Sequence, residues 1–186
     1  DLRDMLVLLE PADIALVLGE LSREQLPLLY RLLPKELAAE AFVEMESEEQ
    51  ELLIQSFSDT ELKEVLEELY VDDTVDLIEE MPATVVKRIL QHADPDTRRS
   101  VNEILKYPED SAGSIMTTEF VYLKQDMTVE AAIKRIRRTG VDKETINICY
   151  VTSPGRHLLG LVSIRTLLLA GEDDVIGDIM ETNIIS

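Results

Sequence analysis

The sequence predicts a mainly α-helical protein: an N-terminal α-helical superhelix, then a small α+β unit of order β-α-β-β-α, and the start of a second such unit. Three observations support this fold class. Apolar and helix-capping residues recur every twelve positions through residues 1–106. The pattern changes to short strand-like runs after Tyr107 and Pro108. A six-residue segment of the second half then reappears near the end of the chain, and such internal matches indicate repeated units.

The twelve-residue repeat is visible as a column of apolar residues, which we call the repeat marks: Leu9, Leu21, Leu33, Met45, Phe57, Leu69, Met81, Ala93 and Leu105. Eight places after each of the first eight marks the residue is again apolar: Val17, Leu29, Ala41, Leu53, Val65, Leu77, Ile89 and Val101. Nine places after the mark it is apolar in every unit except the last, which has Asn102. These spacings place the apolar residues on one helix face, and unrelated helices would not keep a common phase.

Helix-capping residues follow the same phase. Residues favoured at the N-cap or in the first turn stand just after five of the marks: Ser22, Pro34, Ser58, Pro82 and Asp94. Three pairs have capping-box spacing: Ser22 with Gln25, Ser47 with Gln50, and Ser58 with Glu61. Each unit is therefore predicted to be one helix of about eight to ten residues. Such helices are marginal alone but become stable when stacked in pairs as a solenoid.

The second half is predicted to mix strands and helices. Phe120–Leu123 is a strand, and Thr128 caps a helix that runs to about Thr139 and stops at Gly140. Residues 146–152 and 157–164 are two strands around a turn at 153–156, and residues 165–170 form a short helix.

An internal match sets the predicted domain limits. The segment GSIMTT at residues 113–118 reappears 64 residues later as GDIMET at residues 177–182. We therefore divide the chain into a helical domain at 1–106, a linker at 107–113, a first α+β copy at 114–176 and the incomplete start of a second copy at 177–186.

The charge of the chain is strongly negative, with 38 acidic and 18 basic residues and a formal net charge of −20. This balance argues against nucleic acid as a partner. Residues 40–80 hold 16 acids and one base, Lys63. Repulsion at this density destabilises a compact fold unless counterions bind. No run of about 18 apolar residues is present that would span a bilayer.

Residues that could carry catalysis are few. His92 and His157 are the only histidines and stand far apart in sequence, and the single cysteine, Cys149, lies in an apolar run. One cysteine excludes a disulfide framework and favours a reducing, cytosolic compartment. Because neither a nucleophile–base pair nor a glycine-rich phosphate loop is found, we predict a regulatory protein rather than an enzyme.

The α+β unit resembles a CBS motif, through IMT at 115–117, LLGLVSIRTLL at 158–168 and the length of the repeat. The helical domain resembles the N-terminal domain of the MgtE family of magnesium transporters and channels, through LLPKELAAEAFVEM, LKEVLEELYVDDTVDLIEEM and YPEDSAGSIMT. The resemblance implies a homodimer whose cytosolic region lies at the cell membrane, senses Mg²⁺ bound between acidic surfaces and gates its own pore domain. It also implies ATP as a ligand of a complete pair of CBS motifs.

Three acidic residues are the candidate Mg²⁺ ligands. Asp72 and Asp76 are four residues apart and share a helix face, and Glu40 and Asp76 both stand seven places after a repeat mark. Mg²⁺ takes one or two carboxylates and keeps several waters. A solvated acidic face is the commoner explanation from composition alone, and the helix dipole accounts for an acid at position 72. The MgtE resemblance implies that all three are metal ligands.

Arg165 and Thr166 are the candidate nucleotide-binding residues. Thr166 stands where CBS motifs usually carry the Asp that takes the ribose hydroxyls, so the resemblance implies weak binding at this motif, with Arg165 facing phosphate. Two other functions fit the sequence. One is a protein-interaction solenoid similar to the flagellar motor-switch protein, in which acidity serves solubility. The other is a soluble CBS nucleotide sensor.

Overall fold

The computed structural model describes residues 2–108, 111–141 and 143–184. The chain separates into two compact units, Asp1–Met116 and Thr117–Ser186. The first unit is helical and the second carries a three-stranded sheet, which confirms the predicted fold class. The predicted limits of the linker and of the two copies stay predictions. Residues 109 and 110 of that linker and the last two residues of the second copy lie outside the described residues.

Nine helices form the described part of the first unit: α1 (Leu2–Leu6), α2 (Pro11–Gly19), α3 (Leu26–Tyr30), α4 (Lys35–Val43), α5 (Ser47–Ser56), α6 (Asp59–Glu68), α7 (Val71–Glu80), α8 (Ala83–His92) and α9 (Pro95–Ile104). Helices α4 to α9 are nine or ten residues long, as the repeat predicts. Helix α3 has five residues because Pro27, which lacks an N–H, fits only its first turn. None of the helices in the described ranges is both long and apolar enough to cross a membrane.

The repeat phase decides which side chains enter the core. Six successive side chains nine places after a mark are buried: Leu18, Tyr30, Phe42, Ile54, Leu66 and Ile78. The helices pack mainly against the helix two steps along the chain, so that α2 contacts α4, α4 contacts α6, α6 contacts α8 and α7 contacts α9. A helix too short to be stable alone thus has its apolar face covered by its second neighbour.

Two of the three predicted capping boxes form. At the start of α6 the Ser58 hydroxyl accepts from the Glu61 N–H at 3.2 Å, and the Glu61 carboxylate accepts from the Ser58 N–H at 2.8 Å. Ahead of α3 the Ser22 and Gln25 side chains make the same exchange at 3.4 and 3.3 Å. The pair at α6 satisfies N–H groups that the helix itself leaves without partners, whereas the Gln25 N–H also donates to the Ser22 carbonyl oxygen at 3.0 Å.

The box predicted for Ser47 and Gln50 is wrong, because the cap lies one residue earlier. Glu46 has the extended backbone of an N-cap and forms the box with Glu49, whose carboxylate accepts from the Glu46 N–H at 3.1 Å. Ser47 is therefore already the first helical residue. Gln50 is buried instead, and its Nε2 donates to the carbonyl oxygen of Phe42 at 2.8 Å. This bond joins the end of α4 to α5.

Arg88 of α8 fastens the turn between α5 and α6. Its guanidinium donates to the carbonyl oxygens of Ile54 and Phe57, the second at 2.7 Å, and to the Asp59 carboxylate at 3.0 Å. His92 lies one turn later, with its Nε2 3.4 Å from the same carboxylate. The last carbonyl groups of a helix lack partners within it, so Arg88 caps α5 from a different helix.

Arg31, which follows α3, reaches the same turn. Its Nη2 donates to the carbonyl oxygen of Ser56 at 3.1 Å, and its Nε donates to the carboxylate of Glu61 at 2.6 Å. The Arg31 side chain, followed by the hydrogen bonds of the Ser58 cap, lowers the pKa of Glu61 to about 2. Glu61 therefore keeps its charge, and this contact, well into the acidic range.

The second unit contains β1 (Phe120–Lys124), α10 (Val129–Thr139), β2 (Thr145–Thr152), β3 (Leu158–Ser163), α11 (Ile164–Leu169) and α12 (Ile176–Ile179). In the sheet β1 is parallel to β2 and β2 is antiparallel to β3. A parallel pair needs a crossover, which α10 supplies. The Thr128 hydroxyl caps this helix by accepting from the Ala131 N–H at 3.2 Å, and Gly140 follows its end, as predicted.

The core of the second unit is aliphatic and includes the cysteine. Its most buried residues come from the sheet and the helices: Val121, Leu123, Val129, Ala132, Cys149, Val151, Val162, Leu167 and Ile176. Burial raises the pKa of the Cys149 thiol to about 11. The thiol therefore stays protonated at neutral pH and acts as a small apolar side chain.

The segment predicted to begin the second copy lies against the sheet and the β1–α10 connection of the same unit. The N–H of Gly177 donates to the carbonyl oxygen of Gln125 at 2.9 Å, and Leu161 and Glu181 exchange backbone bonds at 3.0 and 2.8 Å. Gly160 is required at this contact, because a Cβ on it would stand 2.6 Å from the carbonyl oxygen of Glu181.

Candidate functional site

An acidic cleft of about 250 Å³ lies between α7 and the connection from α4 to α5. Its polar lining residues are Glu46, Ser47, Gln50, Asp73, Asp76 and Glu80. Its apolar lining residues are Phe42, Val43, Met45, Leu69 and Leu77. Four carboxylates thus border one small concavity.

The helix spacing and the α5 cap bring these carboxylates together. Asp73, Asp76 and Glu80 are three and four residues apart on α7, which places them along one helix face. Glu46 comes from the N-cap of α5. The hydroxyl of Ser47 donates to the Glu80 carboxylate and so joins the two sides of the cleft. Gln50, held by its bond to the end of α4, forms part of the wall.

The predicted metal ligands are only partly brought together. Asp76 lines the cleft, whereas Asp72 is half-buried one turn earlier on α7 and Glu40 is exposed on α4. Neither Asp72 nor Glu40 is among the described residues that line the cleft. Their role as ligands stays a prediction.

Sequence reasoning missed Glu46, Asp73 and Glu80 as members of the cleft. The helical spacing around Asp76 points to two of them, Asp73 and Glu80. No signal in the sequence places Glu46 there, because its approach depends on how α5 packs beside α7.

The electrostatics of the cleft disfavour its negative charge. Partial burial, followed by the charge of Glu80 one turn away, raises the pKa of Asp76 above its ordinary value. Two carboxylates at this spacing repel each other by roughly 0.2–0.5 kcal/mol on a helix surface. A bound cation would remove that repulsion and lower the pKa of Asp76 again.

The arrangement suits a hydrated cation better than a dehydrated one. Among the described residues, no group of three or more His, Cys, Asp or Glu side chains has the geometry to hold a metal ion directly. Mg²⁺ gives up its waters reluctantly and commonly binds through one or two carboxylates with several waters retained. A cleft of this size has room for an ion that keeps part of its hydration shell.

The predicted nucleotide residues lie at the start of α11. The Ser163 hydroxyl accepts from the Thr166 N–H at 3.0 Å and lies 2.9 Å from the Thr166 hydroxyl. Thr166 is thus engaged with the cap of its own helix, and Arg165 is exposed beside it. Their role in nucleotide binding stays a prediction.

A second cleft, of about 380 Å³, lies in the CBS-like unit and combines aromatic with basic side chains. It is lined by Thr118, Phe120, Tyr122, Lys143, Thr152 and Arg156, so Arg165 and Thr166 are outside the described lining. Arg135 lies 4.5 Å from the centre of the Tyr122 ring and donates to the Tyr122 carbonyl oxygen at 2.9 Å, which fixes that ring.

Both halves of the chain match known protein families. The model of the MgtE intracellular N domain matches residues 9–110, more than half of the chain, and the model of the CBS domain matches residues 112–173. The chain belongs to the MgtE family. The predicted resemblance is therefore confirmed for both halves and in the predicted order.

Two MgtE relatives match nearly the whole chain. The magnesium transporter MgtE of Thermus thermophilus is 35% identical over 188 residues, which cover 99% of this chain and 42% of the relative. The magnesium transporter MgtE of Bacillus subtilis is 27% identical over 186 residues, which cover 100% of this chain and 41% of the relative. The chain thus spans about two fifths of the length of these relatives.

Two solved structures have the same fold. The cytosolic domain of the Mg²⁺ channel MgtE in complex with ATP superposes with a TM-score of 0.90 at 34% identity, covering 98% of this chain and 75% of that one. The soluble part of a magnesium transporter superposes with a TM-score of 0.88 at 27% identity, covering 99% of this chain and 73% of that one.

Proposed function

We propose that this chain is the Mg²⁺-sensing region of an MgtE-type transporter or channel, and that it binds Mg²⁺ at the acidic cleft. The observation that carries the proposal is the convergence of Glu46, Asp73, Asp76 and Glu80 on one cleft in a chain of this family. The choice of ion rests on the relatives, which are named magnesium transporters.

Charge neutralisation is the proposed mechanism. Without a cation, the carboxylates of the cleft repel each other, and partial burial followed by the charge of Glu80 raises the pKa of Asp76. A hydrated Mg²⁺ relieves the repulsion and stabilises the arrangement in which the carboxylates are close. Magnesium thereby favours one of two conformations by mass action, to the extent that it binds one better than the other.

The output of the sensor is proposed from the family. We infer that the chain lies on the cytosolic side of the membrane in a homodimeric full-length protein, and that the Mg²⁺-bound conformation closes its pore domain. Asp72 and Glu40 are proposed as further ligands outside the cleft. A regulatory role without catalysis is consistent with relatives that are named transporters.

Calorimetric titration of the 186-residue chain with MgCl₂ tests Mg²⁺ binding. Ionic strength is held constant by replacing NaCl, because monovalent salt also screens exposed charges over about 8 Å. We expect a dissociation constant on the order of 1 mM, since a hydrated ion held by few carboxylates binds weakly. The pair Asp76→Asn with Glu80→Gln should weaken binding about tenfold, which corresponds to about 1.4 kcal/mol.

A matched control separates the cleft from general acidity. Glu48 and Glu79 are exposed acids that do not line the cleft, so Glu48→Gln with Glu79→Gln removes the same charge elsewhere in the unit. The control should change the affinity less than twofold. Equal weakening by both pairs would mean that the acids act only as a solvated face. Single Asp72→Asn and Glu40→Gln variants then report whether these residues contribute.

An adenine nucleotide is a second candidate ligand, favoured by the aromatic and basic cleft of the CBS-like unit. Phe120 and Tyr122 offer surfaces for a base, and Lys143 and Arg156 offer charges for phosphates. The related cytosolic domain was solved in complex with ATP, which supports this choice. Titration with a fluorescent ATP analogue tests it: Phe120→Ala should abolish binding while far-ultraviolet circular dichroism stays unchanged. Unaltered affinity in that variant would exclude this cleft.

A further inference from the structure

An open groove of about 730 Å³ runs along α7, α8 and α9 at the end of the helical unit. Its floor is apolar and is formed by Ile78, Met81, Val86 and Leu90. Two exposed bases, Lys87 and Arg98, stand at its rim. The groove shares no lining residue with the acidic cleft.

The repeat indicates what this floor normally contacts. Five places after a mark, the side chain is buried in each of the six units that precede α8: Ile14, Leu26, Ala38, Gln50, Leu62 and Thr74. At the equivalent place in α8, Val86 is only partly buried. Leu90, nine places after its mark, is likewise less buried than its six predecessors. At these two repeat positions the side chains of the earlier helices are buried, whereas those of α8 are only partly buried.

The packing order accounts for this loss of burial. Helix α6 contacts α8, two steps along the chain, and α7 contacts α9 in the same way. Helix α9 is the last helix described in this unit, so within the unit α8 and α9 have no helix two steps further on. The floor of the groove is therefore the kind of surface against which this repeat packs another amphipathic helix.

The charge of the groove selects the chemistry of its occupant. Residues 83–106 hold five bases and three acids, whereas residues 1–82 hold five bases and 23 acids. Three of the five bases in residues 83–106 form ion pairs: Arg88 with Asp59, Arg99 with Asp96 and Lys106 with Glu103. In the described ranges Lys87 and Arg98 take part in no ion pair.

Ion pairs between helices of this unit follow one pattern. Lys35 at the start of α4 meets Glu68 at 2.8 Å, Arg31 meets Glu61 at 2.6 Å and Arg88 meets Asp59 at 3.0 Å. In each pair the acid belongs to α6 and the base to another part of the repeat. The bases of these three pairs therefore all contact the acidic flank of a neighbouring helix.

We propose that the groove along α7, α8 and α9 is a docking surface for an acidic amphipathic helix of a partner protein. The apolar face of that helix, about three turns long, packs on Val86 and Leu90. Carboxylates along its flank pair with Lys87 and Arg98. The inference concerns a protein partner and is independent of Mg²⁺ binding at the acidic cleft.

The probe is a fluorescein-labelled peptide with the sequence of residues 58–70, SDTELKEVLEELY, which is an acidic amphipathic helix in this chain. Fluorescence anisotropy measures its binding to the full 186-residue chain. We expect a dissociation constant in the micromolar range. The affinity is limited because the short peptide must fold into a helix on binding. A peptide of the same length in which the three glutamates at 64, 67 and 68 are lysines should not bind.

Charge reversal at the rim gives the decisive comparison. Lys87→Glu with Arg98→Glu should weaken peptide binding at least about tenfold, because two rim attractions become repulsions. The control Arg99→Glu with Lys106→Glu makes the same change of net charge on exposed residues outside the groove, and should alter affinity less than about twofold. Circular dichroism establishes that both variants keep their helices.

Three results would overturn the proposal. One is the absence of binding of the acidic peptide to the unmodified chain. The second is equal weakening by the groove variant and the control, which would indicate non-specific charge. The third is dimerisation of the unmodified chain, detected by analytical ultracentrifugation and abolished by the groove variant, because a second copy would then be the occupant.

Discussion

Replacing Arg88 by alanine should destabilise the helical unit far more than a surface substitution does. The Arg88 side chain is 27% exposed and donates to the carbonyl oxygens of Ile54 and Phe57, both of which belong to buried residues. It also pairs with Asp59, whose side chain is 71% exposed. Alanine removes all three contacts and leaves the C-terminal carbonyls of α5 without their donors.

The magnitude follows from the kind of acceptor. A hydrogen bond from a charged donor contributes about 1.5–3 kcal/mol, and an exposed ion pair such as that with Asp59 contributes about 0–1 kcal/mol. Water replaces part of the lost bonding, because the side chain is partly exposed. Arg88→Ala should therefore lower the free energy of unfolding by about 3 kcal/mol. For a domain of this size that corresponds to a fall in Tm of roughly 12–24 °C.

Urea unfolding followed by circular dichroism at 222 nm measures this loss. Lys87→Ala is the matched control, since Lys87 is the preceding residue, is exposed and should change stability by less than about 0.5 kcal/mol. Arg88→Lys keeps the charge but not the planar fork of donors, and should recover less than half of the loss. A loss below about 1 kcal/mol for Arg88→Ala, or full recovery by lysine, would refute the assignment of Arg88 as the cap of α5.

Three further outcomes test the electrostatics and the nucleotide prediction. The pKa of Glu61 is about 2 in the folded chain, against an ordinary value of 4.5. The stabilisation that the Glu61 charge provides is therefore present above pH 4.5 and is lost as the pH falls towards 2. Arg31→Ala should reduce this acid-dependent loss of stability in urea titrations, and an unchanged pH profile would count against the Arg31–Glu61 contact as its cause. The raised pKa of Asp76 means that its charged form costs stability, so Asp76→Asn should stabilise the chain at pH 7 by roughly 0.2–0.5 kcal/mol. That gain should vanish below the ordinary pKa of aspartate, and a loss at pH 7 would contradict the assigned repulsion. Thr166→Asp should strengthen ATP binding several-fold in a fluorescence titration if an acid at this position takes the ribose, whereas equal affinity would remove that argument.

The helices could be predicted because their physical determinants are local. Apolar phase and capping residues repeat every twelve positions, and the structure has helices of nine or ten residues from α4 to α9. The error at Ser47 has a local cause as well. Glutamate is a less common N-cap than serine, so the preference for serine placed the cap one residue late, whereas Glu46 and Glu49 form the box.

The acidic cleft could be predicted only in part. The helical spacing of Asp76 identifies one face of α7, and that face includes Asp73 and Glu80. The other side depends on Glu46, which is 30 residues away from Asp76 in sequence and approaches it only through the packing of the helices. Periodicity specifies which face of a helix is buried, but not which neighbour meets its exposed edge.

The two-step packing of the helices has a consequence for hydrogen exchange. Because the helices contact mainly their second neighbours, opening one end breaks few contacts elsewhere, and amide protection should decline gradually towards the ends of the unit. Helix α1, with five residues and Leu8 beyond it 84% exposed, should exchange first. A ligand that rigidifies α7 should slow exchange next in α9, which packs against it, and should leave the amides of α2 almost unaffected.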